Sequence, residues 1–318
     1  VTAVGVTGLN FCHFTQGIDA MNARLELLSL SVSLLPSLNA QGAEVKGGVF
    51  LRNGFSAKGE VSFSSAQIGG QLACKDGQFE NKKGQALNAQ GVEVNGDVFL
   101  NGDFTAKGEV SLSSAQIGGQ LACKDGQFEN KKGQALNAQG VEVNGDVFLN
   151  GDFTAKGEVS LAGTQIGGQL NCDGGTFDNP ESYALNAQGA EVKSSVSLSE
   201  EFTARGMVSL SGSKISGQLA CIKGTFCNPK RNALSAQGAQ MGAFIWRELE
   251  VVKGGINLAG AQTVDLVDDA ASWDMADRLY LDGFEYSSIH GPLDAPMRLA
   301  WLAKACAYDG SFSPQPYE

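Results

Sequence analysis

Along most of the chain, apolar residues come in pairs separated by a single residue. Leu87 and Ala89, Val92 and Val94, Val98 and Leu100, and Phe104 and Ala106 follow one another at five- or six-residue steps, and Val110 with Leu112 opens the series again. An i, i+2 pair places both members on one face of an extended chain. Each pair therefore predicts a strand of about three residues, and the Gly, Asn and Asp residues between pairs predict corners. Four short sides and a return to the start make one square coil. One coil cannot bury its apolar face alone, so coils must stack, each strand pairing with the strands above and below it. The pattern predicts an all-β chain, a parallel, four-sided β-helix expected to wind right-handed. Helical periods, which an open α/β fold would need between its strands, are missing from the repeats.

The stacking can be counted. The triplets beginning at Ala40, Ala89, Ala138, Ala187 and Ala236 lie 49 residues apart, as do Cys74, Cys123, Cys172 and Cys221. Lys58–Ala106 and Lys107–Ala155 differ at one position, Phe63 against Leu112. Within this repeat, the stretch from Gly91 resembles that from Ser114 at an offset of 23, so coils alternate between 23 and 26 residues. Coil starts run from Ile18 and Leu38 to Leu234, which predicts about ten coils and a partial one from Ile256. Phe55, Phe79, Phe104, Phe128, Phe153, Phe177, Phe202 and Phe226 recur at steps of 24 or 25. That spacing predicts one ring per coil at the same inward corner, in a continuous ladder. The expected organisation is an N-terminal cap over 1–17, a solenoid over 18–266 and a C-terminal cap over 267–318 with short helices near Ala270–Leu279 and from Ala295, where Pro296 lies in the first turn.

Cysteine placement follows from the same geometry. The four repeated cysteines alternate with Leu51, Leu100, Leu149 and Leu198 in one column. They stand two coils, roughly 9.6 Å, apart, beyond the separation of about 7 Å that a disulfide can span. They are expected to be buried, reduced and apolar in role, which favours a cytoplasmic compartment. Cys12, Cys227 and Cys306 are isolated in sequence.

Composition narrows the function. Apolar residues make up 42% and charged residues 18%, a composition that folds. The net charge of −11 argues against nucleic acid or an anionic membrane as partner, although an acidic rod can itself mimic DNA. No run of 18 apolar residues is present, and leucine-rich Leu25–Leu38 lacks the basic start of a signal peptide.

The outward positions form columns. One alternates Glu and Gln from Glu44 through Gln67, Glu93, Gln116, Glu142 and Gln165 to Glu191, then ends at Lys214; another alternates Ser and Asn from Ser62 to Asn186. Thr105, Thr154 and Thr203 recur only on every second coil, which counts against an ice-binding face. A third column carries Phe50, Phe99 and Phe148 with Ala73 and Ala122 between them. An outward apolar stripe is a candidate surface for self-association or an unidentified protein partner, or else each ring lies flat over its alanine neighbours. The 26-residue coils carry an extra corner, which places Lys82, Lys83, Lys131 and Lys132 along one edge as a second candidate surface, with Lys230 and Arg231 further on.

Chemistry is harder to find. There is no phosphate-binding loop, nucleophile elbow, zinc spacing or dinucleotide fingerprint, and His13 and His290 are far apart. Asp97, Asp103, Asp146 and Asp152 would be the carboxylates of a carbohydrate-active β-helix enzyme, yet each is copied 49 residues along, as catalytic groups rarely are. No catalytic, cofactor or metal residue is assigned.

The tail over Asp268–Glu318, with "DD" followed two residues later by "SW", then "LYLDGFEY" and "FSPQPYE", resembles a family of uncharacterised bacterial solenoid proteins often labelled oxidoreductases or membrane-associated oxidoreductases. The resemblance implies a β-helix followed by a further helical region and a hydrophobic anchor beyond this chain, hence association with a membrane. It also implies redox activity, for which no nicotinamide, flavin or metal motif is present. The shape is similar, more distantly, to the square β-helices of pentapeptide-repeat proteins, some of them acidic DNA mimics, although a strict five-residue repeat is lacking. The combined expectation is a non-catalytic solenoid scaffold or binding module, with an acidic DNA mimic or a carbohydrate-active enzyme as alternatives.

Overall fold

The structure is a computed structural model, and it describes residues 6–292 and 294–305. Cys306 and the segment containing "FSPQPYE" lie outside the described residues. The chain forms a parallel β-solenoid of about 12 turns with two short helices near its C-terminal end. One coil shows the plan. Val61–Ser62 forms the first side, Gln67–Ile68 the second, Leu72–Ala73 the third, and the strand beginning Gln78–Phe79 the fourth. Each side pairs in parallel with its equivalents, as Val61 does with Leu38 below and Leu87 above. Inward Val, Leu, Ile and Ala from all four sides are buried in one continuous core.

There are about two more turns than the ten that the pattern predicts. The Ile256 coil is complete, and a further coil follows, because Arg278–Tyr280 pairs with Gly255–Asn257 and Glu285–His290 pairs with the strand Gln262–Asp268. Leu279 and Leu281 are fully buried, so this coil keeps the inward i, i+2 pair. The predicted helix near Ala270–Leu279 is correspondingly shorter. It spans Ala270–Asp274 (α1), capped by the Asp269 side chain accepting from the Ser272 amide, and the chain returns to strand by Arg278. At the other end, Val6–Gly8 already pairs with Leu27–Ser29.

The aromatic ladder is continuous, with successive ring centroids 5.1–5.3 Å apart from Phe55 to Phe226. Its backbone origin corrects the single-corner expectation. Phe79 pairs in register with Ala106, not with Phe104, and Ala106 pairs with Phe128. Coils therefore alternate between two inward pairs, Phe-x-Ala (Phe104 and Ala106) and Gly-x-Phe (Gly77 and Phe79, Gly126 and Phe128). Each bulky ring is flanked above and below by a small residue at its own position, and the ring of the neighbouring coil fills the space beside it. The glycine is required, because a Cβ on Gly126 would stand 2.7 Å from the Leu100 carbonyl oxygen and 2.9 Å from the Phe128 ring. Large-against-small alternation of this kind fills a core at native density without strain.

Beyond Phe226 the ladder passes into three tryptophans, Trp246, Trp273 and Trp301, at 5.4, 5.7 and 5.4 Å. Trp273 lies on α1 and Trp301 on the helix Ala295–Ala303 (α2), so both helices lie over the end of the ladder. The α2 helix is tied down by Arg298, whose guanidinium donates to both carboxylate oxygens of buried Asp268, one of them at 2.8 Å. The Asp268 carboxylate also accepts from the Trp273 indole at 2.7 Å. The hydrogen bond from Arg298 to Asp268 is the main cause of the guanidinium's rise above its ordinary value.

Candidate interaction surfaces

The extra residues of the longer coils leave the ladder between the fourth and first sides. Pairing of Gln78–Asn88 with Thr105–Ser111 shifts between Glu80 and Gln85, so Asn81–Gly84 projects from the edge. The projection closes locally, because Asn81 donates its side-chain amide to the Gln85 carbonyl at 2.9 Å. Asn130, Asn179 and Asn228 make the same bond in their own coils. The coil above must give way, and a Cβ on Gly108 would collide with the Asn81 carbonyl oxygen. Gly108 sits at φ +127, which favours glycine. Gly157, Gly206 and Gly254 repeat this arrangement.

The candidate lysines Lys82, Lys83, Lys131 and Lys132 are all exposed on these projections. A cleft of about 180 Å³ between successive projections is lined by Lys82, Lys107, Lys131, Lys132, Glu129 and Asn130. The edge is less purely basic than the loop sequences imply. At its root, Glu80, Lys107, Glu129, Lys156, Asp178 and Arg205 stack in register with alternating sign. Lys82 reaches Glu80 at 3.1 Å and Lys131 reaches Glu129 at 3.6 Å. The Lys82 hydrogen bond and charge hold the Glu80 carboxyl below its usual range, and Lys107 and Lys58 add to the effect.

The second side carries the Glu and Gln column, in register from Glu44 through Gln67, Glu93, Gln116, Glu142 and Gln165 to Glu191 and Lys214. Gln67 donates to Glu93 at 3.4 Å. Beside the carboxylates runs a second row in which Gly69 and Gly118 alternate with Asn95 and Asn144. A Cβ on Gly118 would collide with the Asn95 carbonyl oxygen. The bare glycines leave two grooves. One, of about 390 Å³, lies between Glu93 and Glu142, with Asn95, Gly118 and Asn144 along it. The other, of about 280 Å³, lies between Glu44 and Glu93. The upper end of the face reverses sign, since Glu191 is paired with Lys214 at 3.2 Å and with Lys193 at 3.9 Å.

Phe50, Phe99 and Phe148 stand in register with Ala73 and Ala122 on the third side. The rings are half-buried, whereas Ala73 and Ala122 face outward yet are only 3% and 6% exposed, so the flanking rings cover them. Arg52 lies over the Phe50 ring at 4.8 Å. The threonine column is fuller than expected, because Thr176 fills the coil between Thr154 and Thr203 and Thr225 continues it in the coil above Thr203. Aligning coils on their phenylalanines hid this, since Thr154 follows Phe153 whereas Thr176 precedes Phe177.

The four aspartates considered as carboxylates for sugar chemistry sit at corners. Asp97 and Asp146 each accept the backbone amide of the next coil at 2.8 Å, from Gln120 and Gln169. Asp103 and Asp152 are exposed and donate their amides to Asp76 and Asp125 at 2.9 Å. Cys74, Cys123, Cys172 and Cys221 are free and buried, and burial pushes their thiols well above the ordinary value, which leaves them poor nucleophiles. His13 bridges to Leu34 near one end, and His290 meets Asp265 at 2.9 Å near the other. Among the described residues, no group of three or more His, Cys, Asp or Glu is placed to hold a metal ion, and no helix is long and apolar enough to cross a membrane. No protein-family model matches the chain, and no curated protein does.

Proposed function

We propose that the chain is a rigid, non-catalytic scaffold that presents one contact set several times along an axis. The observation that carries this reading is the pair of projections Asn81–Gly84 and Asn130–Gly133. They have the same sequence and the same Asn-to-carbonyl closure, and they stand two coils apart on one unbroken ladder. A multivalent surface gains avidity from repetition without any single strong contact. The resemblance of the tail extends the proposal to a scaffold held near a membrane by a segment beyond this chain. A photo-reactive amino acid at Lys83, and separately at Ser64 at the corner after the first side, tests the reading in cells that make the full-length protein. Cross-links at position 83, none at position 64, and recovery in the membrane fraction are expected. Equal labelling at both positions overturns the loop edge as the presenting surface.

A further inference from the structure

We infer that the partner of the loop edge is the second-side face of another copy of this chain, with the two rods parallel and unstaggered. The inference rests on the scaffold reading and names the partner. Three properties of the two surfaces match. The first is period. Projections from Asn81 and Asn130 recur every 49 residues, or two coils, and so do the grooves flanked by Glu93 and Glu142. Both rows belong to one ladder, so their spacing agrees at about 9.6 Å in every copy. The second is shape. Projections of four residues stand off one edge, while bare glycines hollow the other face into grooves of about 390 and 280 Å³.

The third is charge, which also sets polarity and register. Going up the rod, the first three projections carry Lys82 and Lys83, then Lys131 and Lys132, then Glu181. Half a coil above each, the face carries Glu93, then Glu142, then the cluster of Lys193 and Lys214 around Glu191. Plus, plus, minus on the edge therefore meets minus, minus, plus on the face half a coil above, an offset of roughly 2.4 Å that a long side chain spans. Turning one rod end over end, or sliding it by two coils, sets Glu181 against Glu93 or Glu142, or sets lysine against lysine. Because the donor edge and the acceptor face occupy different flanks of each copy, the contact is heterologous and can extend into a row.

Each exposed ion pair is weak, so association comes from several pairs acting together and is sensitive to salt. Sedimentation of the purified chain at about 50 mM and about 500 mM salt reads this directly, the Debye length falling several-fold between them. At low salt the mass should exceed the 33.2 kDa of one chain and rise with concentration; at high salt it should return to one chain. A variant with Lys82, Lys83, Lys131 and Lys132 all changed to Glu should sediment as a single chain at low salt. A variant with Glu93→Lys and Glu142→Lys should do the same. Mixing the two should restore association, because reversed edge now meets reversed face, and Glu181→Lys alone should weaken it.

Circular dichroism of both variants keeps a folding failure apart from a binding failure. A wild-type chain that stays single at low salt overturns the proposal, as does a mixture that fails to associate. Association unchanged by either variant also overturns it and points to the Phe50, Phe99 and Phe148 stripe. A chain that stays single yet binds poly-glutamate through the lysines has a linear polyanion as its partner instead. In that case cross-linking at position 83 still decides whether the scaffold reading stands.

Discussion

Phe104 has Phe79 on one side at 5.3 Å and Phe128 on the other at 5.1 Å, and none of the three is more than 1% exposed. Its coil neighbours at the same backbone position are the glycines Gly77 and Gly126, which have no side chain to move into a vacated space. The hydrogen-bond ladders hold the coils apart, so the gap cannot collapse. Phe104→Ala should therefore cost about 3–5 kcal/mol, at the upper end for a large-to-small change, measured by denaturant unfolding. A loss near 1 kcal/mol would mean that the ring contributes little to the core. The column cysteines allow a second test at this scale, through pH. Burial raises their folded values above the ordinary thiol value of 9.0, so above that pH the unfolded chain releases protons that the folded chain retains. Stability should hold below pH 9.0 and fall above it, by up to about 1.4 kcal/mol per pH unit for each thiol. Replacing Cys74, Cys123, Cys172 and Cys221 with Ala should flatten that alkaline slope in thermal unfolding followed against pH. An unchanged slope would mean that the column thiols do not carry the alkaline loss. The sequence revealed both columns, because a side chain repeated at a fixed interval in a stacked fold must face its own copies. It did not reveal that the rings leave the backbone at two alternating positions, since Phe-x-Ala and Gly-x-Phe can be told apart only by pairing partners.

That two-residue offset propagates to the element scale. Aligned on phenylalanine, Thr154 and Thr176 fall in different columns, as do Glu80 and Lys107; aligned on the ladder, each pair becomes neighbours. The alternating charge column at the root of the loops was therefore illegible from spacing, although the loops themselves were plain as three extra residues in every second coil. The side strands were legible for the opposite reason. Each inward pair needs only its own two residues and a turn, and both are local. The C-terminal coil failed at this scale because α1 interrupts it, while its inward Leu279 and Leu281 lie beyond the helix. The lock between Asp268 and Arg298 spans 30 residues and joins a strand end to a helix, and no periodic signal connects them. A buried carboxylate would be costly alone, and the bidentate guanidinium with the Trp273 indole satisfies it. Of the candidate surfaces, the sequence located the loop edge and the acidic column separately. Their correspondence in order and sign required knowing that each loop stands half a coil below a charged position of the second side.

At the scale of the molecule, a solenoid is close to one-dimensional, with stability summed over coils and their interfaces. That picture predicts that coils can be removed, but the alternating core says how many at a time. Deleting Lys107–Ala155 takes out 49 residues and joins Ala106 to Lys156, which restores the Ala-Lys junction of the parent. Phe104 then precedes Phe177, a Phe-x-Ala coil followed by a Gly-x-Phe coil, and the large-against-small order survives. The variant should fold into a rod two coils shorter, with the parent's circular dichroism and a modestly lower unfolding midpoint. Deleting Leu87–Glu109 removes only 23 residues, yet it should do far more damage. It brings two Gly-x-Phe coils together, so Phe79 and Phe128 would occupy one position on adjacent coils, beside the empty space over Gly77 and Gly126. It also sets the projections at Asn81 and Asn130 one coil apart, where the relief provided by Gly108 is gone. Thermal unfolding of the two variants side by side separates the possibilities. A smaller loss for the 49-residue deletion identifies the coil pair as the structural unit, whereas losses in proportion to residues removed would make every coil equivalent and the alternation incidental.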